Sequence, residues 1–275
     1  MQNDEAVIKV EAATPLAGSS ASSDGRYALQ FHIYGGLNEV TQDLKAYIKP
    51  GDSFVISSID PGDWSGIRRK VQTLNAEFPG YPIYFRTSGW VRVRDAIKIM
   101  PPDLIPAFSA ILHVYEPQDE SLFGPYPPQG PHDFQWVLDQ YRQVTNLAHQ
   151  RGIDLWAVPS GRYVPERDLA KYNWDYGVLG TVVDRVIVQT QGSCKAGKMP
   201  ATVRSMNQQF ANAGVTTPWM PMTAVGLIGD VANSVPADES WDCILKAEQQ
   251  GLHEHAHQWW DMQQAMKLMR IRASQ

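Results

Sequence analysis

The chain has 275 residues, 43% of them hydrophobic, with a formal charge of −5 and a pI near 5.8. That composition can bury one barrel-sized core or two small domains, and it argues against a nucleic-acid binder, which normally shows a basic face. No apolar run approaches the roughly eighteen residues of a membrane span, so no membrane partner is expected.

Residues 1–25, MQNDEAVIKVEAATPLAGSSASSDG, are Ser/Ala/Gly-rich and lack amphipathic periodicity. Asp4, Glu5, Lys9 and Glu11 interrupt any apolar stretch that would serve as a signal-peptide core. The expectation is a mostly flexible arm with a short edge strand at Ala6–Val10, followed by one domain over 26–275. Such a tail suits a soluble cytosolic protein, or a mature secreted one whose signal peptide precedes this numbering.

From Arg26 onward, short β-rich runs alternate with helix-spaced segments. The runs are YALQFHIYGG, SFVISSIDPG, YPIYFRTSGW, FSAILHVYEP, IDLWAVPSGR, DRVIVQTQG and TPWMPMTAVG. Between them, DFQWVLDQYRQVTNLAHQRG places Phe134, Val137, Leu138, Tyr141, Val144, Thr145 and Ala148 at helical spacing. Gly80, Gly152, Gly214 and Gly251 follow segments of this kind as C′ residues. Strand–helix alternation predicts a parallel sheet.

GLHEHAHQWW then supplies an eighth strand and DMQQAMKLMRIRA the last helix, which predicts a single (β/α)8 barrel. A doubly wound open sheet is the alternative, but YGGLNEV is a poor match to its phosphate loop. The eighth strand is unusual because neither face is apolar. His253, His255, His257 and Trp259 alternate with Glu254, Ala256, Gln258 and Trp260. If the preceding helix ran past Gly251, His253 and His257 would share a helix face and the eighth unit would be lost.

Active sites of such barrels lie at the C-terminal strand ends. Those ends carry His32 and Tyr34; Asp60, Asp63 and Trp64; Arg86 and Trp90; Tyr115 and Glu116; Ser160 and Arg162; Gln189 and Gln191; and Gln258 to Asp261. On strand one, Gln30, His32 and Tyr34 alternate with Leu29, Phe31 and Ile33, so the polar set is expected to face the lumen. Nine tryptophans and eleven tyrosines invite ring stacking on a flat ligand, although six of the nine tryptophans are assigned to packing. The loop QDESLFGPYPPQGPHD, with Phe123 and Tyr126, reads equally as an aromatic lid and as a rigid surface loop.

The run ILHVYEPQ puts a Glu-Pro pair at the end of the fourth strand. In this it resembles the Asn-Glu-Pro acid/base motif of the large clan of (β/α)8 glycoside hydrolases, with Tyr115 where that clan has Asn. The resemblance implies that Glu116 protonates the glycosidic oxygen, a task that needs a carboxyl with a raised pKa. It also implies that Arg86 and Trp259 or Trp260 belong to the site. The clan's nucleophile ends strand seven, where this chain reads WMPMTAVG without a carboxylate. A retaining reaction between carboxylates about 5 Å apart is therefore not supported. Asp60 is the candidate base for an inverting reaction, with Asp261 as a second candidate or a helix cap.

The expected ligand is a small molecule or oligosaccharide. Glu116 and Asp60 would act on it, His32, Tyr34, Arg86, Tyr115, Gln189 and Gln191 would orient it, and Trp64, Trp90, Trp259 and Trp260 would stack on it. A glycan-binding barrel without hydrolysis, and a lyase, isomerase or cyclase using the same acid, are the alternatives. Resemblance to barrel metallohydrolases would imply His-x-His on strand one and further His on strands five and six; here strand one carries a single His and strands five and six none, so no metal is expected, and no cofactor either. Cys194 and Cys243 match no metal or redox spacing and are read as two buried or indifferent thiols, with a disulfide between them as the alternative.

Overall fold

The computed structural model describes residues 27–33, 44–57, 63–116, 133–161, 174–217, 219–226 and 233–275. The N-terminal arm lies outside them. Eight parallel strands close into a barrel in sequence order. They are β1 (Ala28–Ile33), β2 (Ser53–Ser57), β3 (Ile83–Ser88), β4 (Ala110–Tyr115), β5 (Asp154–Pro159), β6 (Arg185–Gln189), β7 (Met220–Val225) and β8 (Glu254–Trp259). The fold is the (β/α)8 barrel that the alternation predicts. The histidine-rich run is extended and closes it, pairing with β7 on one side and β1 on the other.

Helices cover the outside: α1 (Trp64–Glu77), α2 (Trp90–Ile99), α3 (Phe134–Gln150), α4 (Tyr176–Gly180), α5 (Gln191–Lys195), α6 (Met199–Asn212), α7 (Ala237–Glu248) and α8 (Met262–Ala273). The sequence signals that start them are local. Asp63, Asp133 and Asp261 each accept a first-turn backbone N–H, at 2.9, 3.0 and 2.7 Å. Gly152 and Gly251, at φ 72° and 86°, take the left-handed turn that ends α3 and α7. Helix α3 buries Val137, Leu138, Tyr141, Val144, Thr145 and Ala148, six of the seven periodic positions.

Strand alternation sorts the interior into two layers. Leu29, Phe31, Phe54, Ile56, Phe85, Ile111, Leu155 and Val188 face the helices. Val55, Tyr84, Leu112, Val114, Trp156, Val158, Ile187, Met222 and Ala256 fill the lumen. Each large side chain so buried contributes about 1.5–3 kcal/mol. Six tryptophans are buried, Trp64 and Trp136 pack against the outer layer, and Trp260 is 42% exposed. Packing thus claims eight of the nine.

The polar eighth strand is accommodated by putting its histidines in the outer layer. His257 Nε2 lies 3.0 Å from Ser240 Oγ on α7. Trp259 packs edge-on to Phe31 at 5.2 Å. Elsewhere in that layer, the buried Arg272 of α8 makes a two-pronged contact with Asp52, at 2.7 and 3.0 Å. The same carboxylate accepts the backbone N–H groups of Leu29 and Lys49, at 2.9 and 2.8 Å. The last helix is thereby tied to the start of the first two strands.

Of the two readings of the cysteines, the structure takes the disulfide: Cys194 on α5 and Cys243 on α7 are bonded. Their 49-residue separation gives no hint of pairing, but the barrel sets the helices after β6 and β7 side by side, with Cα atoms 5.7 Å apart. No described helix is long and apolar enough to cross a membrane.

Candidate functional site

The N-terminal end of the lumen is plugged. The Arg185 guanidinium lies 5.0 Å from the Trp156 ring centroid and pairs with Glu254, and Trp156 meets Tyr84 at 4.7 Å. Burial in this plug pushes the Tyr84 hydroxyl up to about 12. Chemistry is thus left to the C-terminal end, where the lumen parity carries polar side chains.

Six of the sequence-predicted residues come together there. His32 shares the lumen face of β1 with Gln30. Arg86 follows Tyr84 on β3, and Glu116 follows Leu112 and Val114 on β4. Gln189 ends β6, and its Nε2 donates to Glu116 Oε1 at 2.8 Å across the mouth. Gln191 opens α5 and donates from Nε2 to Gln258 Oε1 on β8 at 3.3 Å. Trp260, exposed beyond β8, stands on the rim. The end of β5 comes so close to β6 that a Cβ at Gly161 would lie 2.3 Å from the Gln189 carbonyl oxygen. Only glycine fits there, and the approach helps hold Gln189 in place.

Electrostatics follow from burial. Loss of water pulls the Arg86 guanidinium down to about 10, with the Glu116 charge opposing that fall, so Arg86 stays cationic at neutral pH. His32 is driven well below the usual imidazole range, first by burial and then by the charges of Arg86 and His257. It is neutral at physiological pH.

Four predicted residues face elsewhere, which corrects their expected role at the mouth. Tyr115 neighbours Glu116 and so has the opposite parity. It is buried against Trp174, with ring centroids 5.8 Å apart, and against Trp90 at 5.3 Å. Trp90 also meets His113 and Tyr141 in the helix layer, at 4.4 and 4.8 Å. Trp64 packs against the outward-facing Phe85 at 5.6 Å, and Trp259 against Phe31. On β8, Trp259 and Trp260 cannot both point inward, because successive strand residues alternate. Asp261 caps α8. Asp60, Tyr34, Arg162 and the aromatic loop with Phe123 and Tyr126 lie outside the described residues.

The sequence places Gln30 on the lumen face of strand one and Gln258 at the end of strand eight, but assigns neither a role in the site. With Gln189 and Gln191 they give the described C-terminal end of the lumen four amide side chains beside the Arg86 guanidinium and the Glu116 carboxylate. Amides donate and accept at once, which suits a neutral ligand bearing several hydroxyl groups.

The strand-eight histidines look away from this lumen. His253 Nδ1 lies 2.7 Å from Glu248 Oε1, and His255 is buried behind it. Among the described residues, one group brings three metal-capable atoms within 4.8 Å: His149, Asp154 and Asp184, near the N-terminal strand ends. Asp184 already accepts from the Leu155 backbone at 2.7 Å and contacts His149 at 2.9 Å, so a structural role accounts for it.

No protein-family model and no curated protein sequence matches the chain. Solved structures do. A class V chitinase from Pseudomonas fluorescens Pf-5 is 11% identical with a TM-score of 0.56, over 89% of this chain and 98% of that one. A protein proposed to be a deoxyribose-phosphate aldolase, from Toxoplasma gondii ME49, is 12% identical with a TM-score of 0.52, over 89% and 92%. A glucosidase from Croceicoccus marinus is 9% identical with a TM-score of 0.50; 86% of this chain is covered, and it spans only 59% of that glucosidase. Glycosidases and an aldolase candidate share the barrel, and at these identities the likeness is one of fold alone.

Proposed function

We propose that this barrel acts on a carbohydrate or glycoside, with Glu116 as the general acid at the mouth of the lumen. The observation that carries this reading is the contact of Gln189 Nε2 with Glu116 Oε1 at 2.8 Å, inside a lumen rich in amides. In the proposed reaction Glu116 gives its proton to the leaving oxygen. Arg86 and Gln189 orient the ligand, while Trp260 offers a face at the rim. Asp60 is the proposed base that would activate water. Among the described lumen positions there is no lysine, so carbonyl chemistry through a Schiff base has no amine there.

A second reading rests on one observation: β7 runs out as Thr223, Ala224, Val225 and Gly226, without a carboxylate. That favours a barrel that binds glycan without cleaving it. One experiment separates the two. Wild type and Glu116→Gln are assayed on nitrophenyl glycosides of glucose, galactose, mannose, xylose and N-acetylglucosamine, with calorimetric binding of the free sugars in parallel. Turnover by wild type that drops at least about a hundredfold in Glu116→Gln, with affinity kept, supports the acid role. Affinity without turnover in either protein supports the binding barrel, and unchanged turnover in the variant removes Glu116 from the mechanism.

A further inference from the structure

Thr190 stands between two amides of the site, Gln189 and Gln191, at the point where β6 turns into α5. A threonine in that place normally caps the helix, its hydroxyl accepting a first-turn backbone N–H. Here no side-chain cap forms. Thr190 Oγ1 donates backwards instead, to the Met222 carbonyl of β7 at 2.9 Å. The Thr190 backbone N–H meets the same oxygen, also at 2.9 Å. Thr190 is completely buried, so it holds the chain and does not touch a ligand.

The peptide joining Gln189 to Thr190 is thereby gripped on both sides. Its N–H is fixed to β7, and its C=O lies against Gly161, where a Cβ would come within 2.3 Å. At φ −95° and ψ 9°, Thr190 takes the turn conformation that many active-site residues adopt. From this one pivot the two neighbours diverge. Gln189 reaches Glu116 beyond β4, and Gln191 reaches over β7 to Gln258 on β8. A small rotation at Thr190 would carry both amides off their partners. We infer that Thr190 is a positioning residue of the site: its hydroxyl, anchored on the Met222 carbonyl, sets where Gln189 and Gln191 present their amides. A hydroxyl turned back to β7 is turned away from the first turn of α5, so the missing cap and the anchor are one fact. Local preferences are given up in this way beside functional sites. The effect on turnover rests on the carbohydrate reading above; the placement of the amides does not.

The test removes the anchor without removing bulk. Thr190→Val keeps the shape and loses the hydroxyl, whereas Thr190→Ser keeps the hydroxyl. The Met222 carbonyl retains its backbone partner in both, so thermal melts should stay within a few degrees of wild type. If Thr190→Val proves unfolded, Thr190→Ala carries the same comparison. The side-chain NH2 signals of Gln189 and Gln191 in an amide proton–nitrogen correlation spectrum report placement in the sugar-free protein. Their loss in Gln189→Leu and Gln191→Leu identifies them. Both should move towards the averaged position of exposed amides in Thr190→Val and stay in place in Thr190→Ser. On a glycoside that wild type cleaves, Thr190→Val should lower kcat about tenfold, the scale of one neutral hydrogen bond. Thr190→Ser should recover most of it. Adding Thr190→Val to Gln189→Leu should lower kcat no further, because the pivot acts through that amide. Unmoved amide signals, or losses that multiply in the double variant, overturn the positioning role and leave the Glu116 reading standing. If wild type neither cleaves nor binds any sugar of the panel, the carbohydrate reading falls, and the amide signals alone decide the role of Thr190.

Discussion

Gln189 donates its amide N–H to Glu116 across the mouth of the barrel, at 2.8 Å, joining the ends of two strands that are not neighbours. The bond spans the lumen, so its value lies in aiming the carboxyl and not in knitting the sheet. Gln189→Leu is expected to lower kcat by about tenfold through loss of that one hydrogen bond. The melting temperature should stay within a few degrees, because a buried amide is exchanged for an apolar side chain of similar size. Gln189→Glu should be worse, since it sets a second carboxylate against the first. Kinetics of both variants on a cleaved glycoside, with melts alongside, check this. A large fall in stability with unchanged kcat per folded molecule would make Gln189 a packing residue.

The barrel was legible because its signals are local and repeated: β-rich runs, helical spacing, glycines where helices end. The lumen face of strand one was legible too, since Leu29 and Phe31 can only face helices and leave Gln30 and His32 inside. The tryptophans were not. Both parities of the eighth run carry a polar residue and an indole, and only the packing of Trp259 against Phe31 shows which indole belongs to the helix layer. Trp90 and Tyr115 followed the same pattern, as aromatic residues beside a site that serve the layer behind it. The disulfide depends on which helices end up adjacent, and no spacing rule carries that.

Burial of imidazoles in the outer layer makes a pH prediction. His113, packed between Trp90 and Tyr141, and His257, against Ser240, are both pushed down to about 3, chiefly by loss of water. Their folded values lie below the unfolded one near 6.5. The stability this reflects is whole above about pH 6.5 and is lost as pH falls towards about 3. In that window each histidine costs up to about 1.4 kcal/mol per pH unit. Urea melts between pH 7 and pH 4 should show a steep decline, and His113→Phe should flatten it. An equal decline in the variant would place the acid sensitivity elsewhere.

The Asp52–Arg272 pair makes a prediction of a different kind. Both groups are buried, and the carboxylate also holds two backbone N–H groups, so its loss strands several partners at once. Arg272→Ala is expected to cost about 3–5 kcal/mol, because it leaves an uncompensated buried carboxylate. Burial already raises the Asp52 carboxyl above the usual range, with Arg272 opposing the rise. Without Arg272 it should rise further, so the variant should regain part of its lost stability on mild acidification, where Asp52 is protonated. Chemical melts of wild type and variant at pH 7 and pH 5 test the sign. A variant gap that does not narrow at pH 5 would show that the carboxylate is not the stranded charge.

The Cys194–Cys243 bridge couples stability to the mouth of the lumen. It ties α5 to α7, and α5 begins with Gln191, which reaches over to Gln258. Closing a loop of this length is worth about 2–4 kcal/mol, chiefly by restricting the unfolded chain. Reduction, or the double change Cys194→Ser with Cys243→Ser, should lower stability by that amount. A five-residue helix has little hydrogen bonding of its own, so its tether matters for where Gln191 sits. The bridge-free protein should therefore bind sugar more weakly while keeping kcat, since Glu116 and Gln189 stand on strands that the bridge does not touch. A raised KM that returns to normal when wild type is reoxidised is the expected result. A stability loss with KM unmoved would limit the bridge to the unfolded state and leave Gln191 held by its own packing.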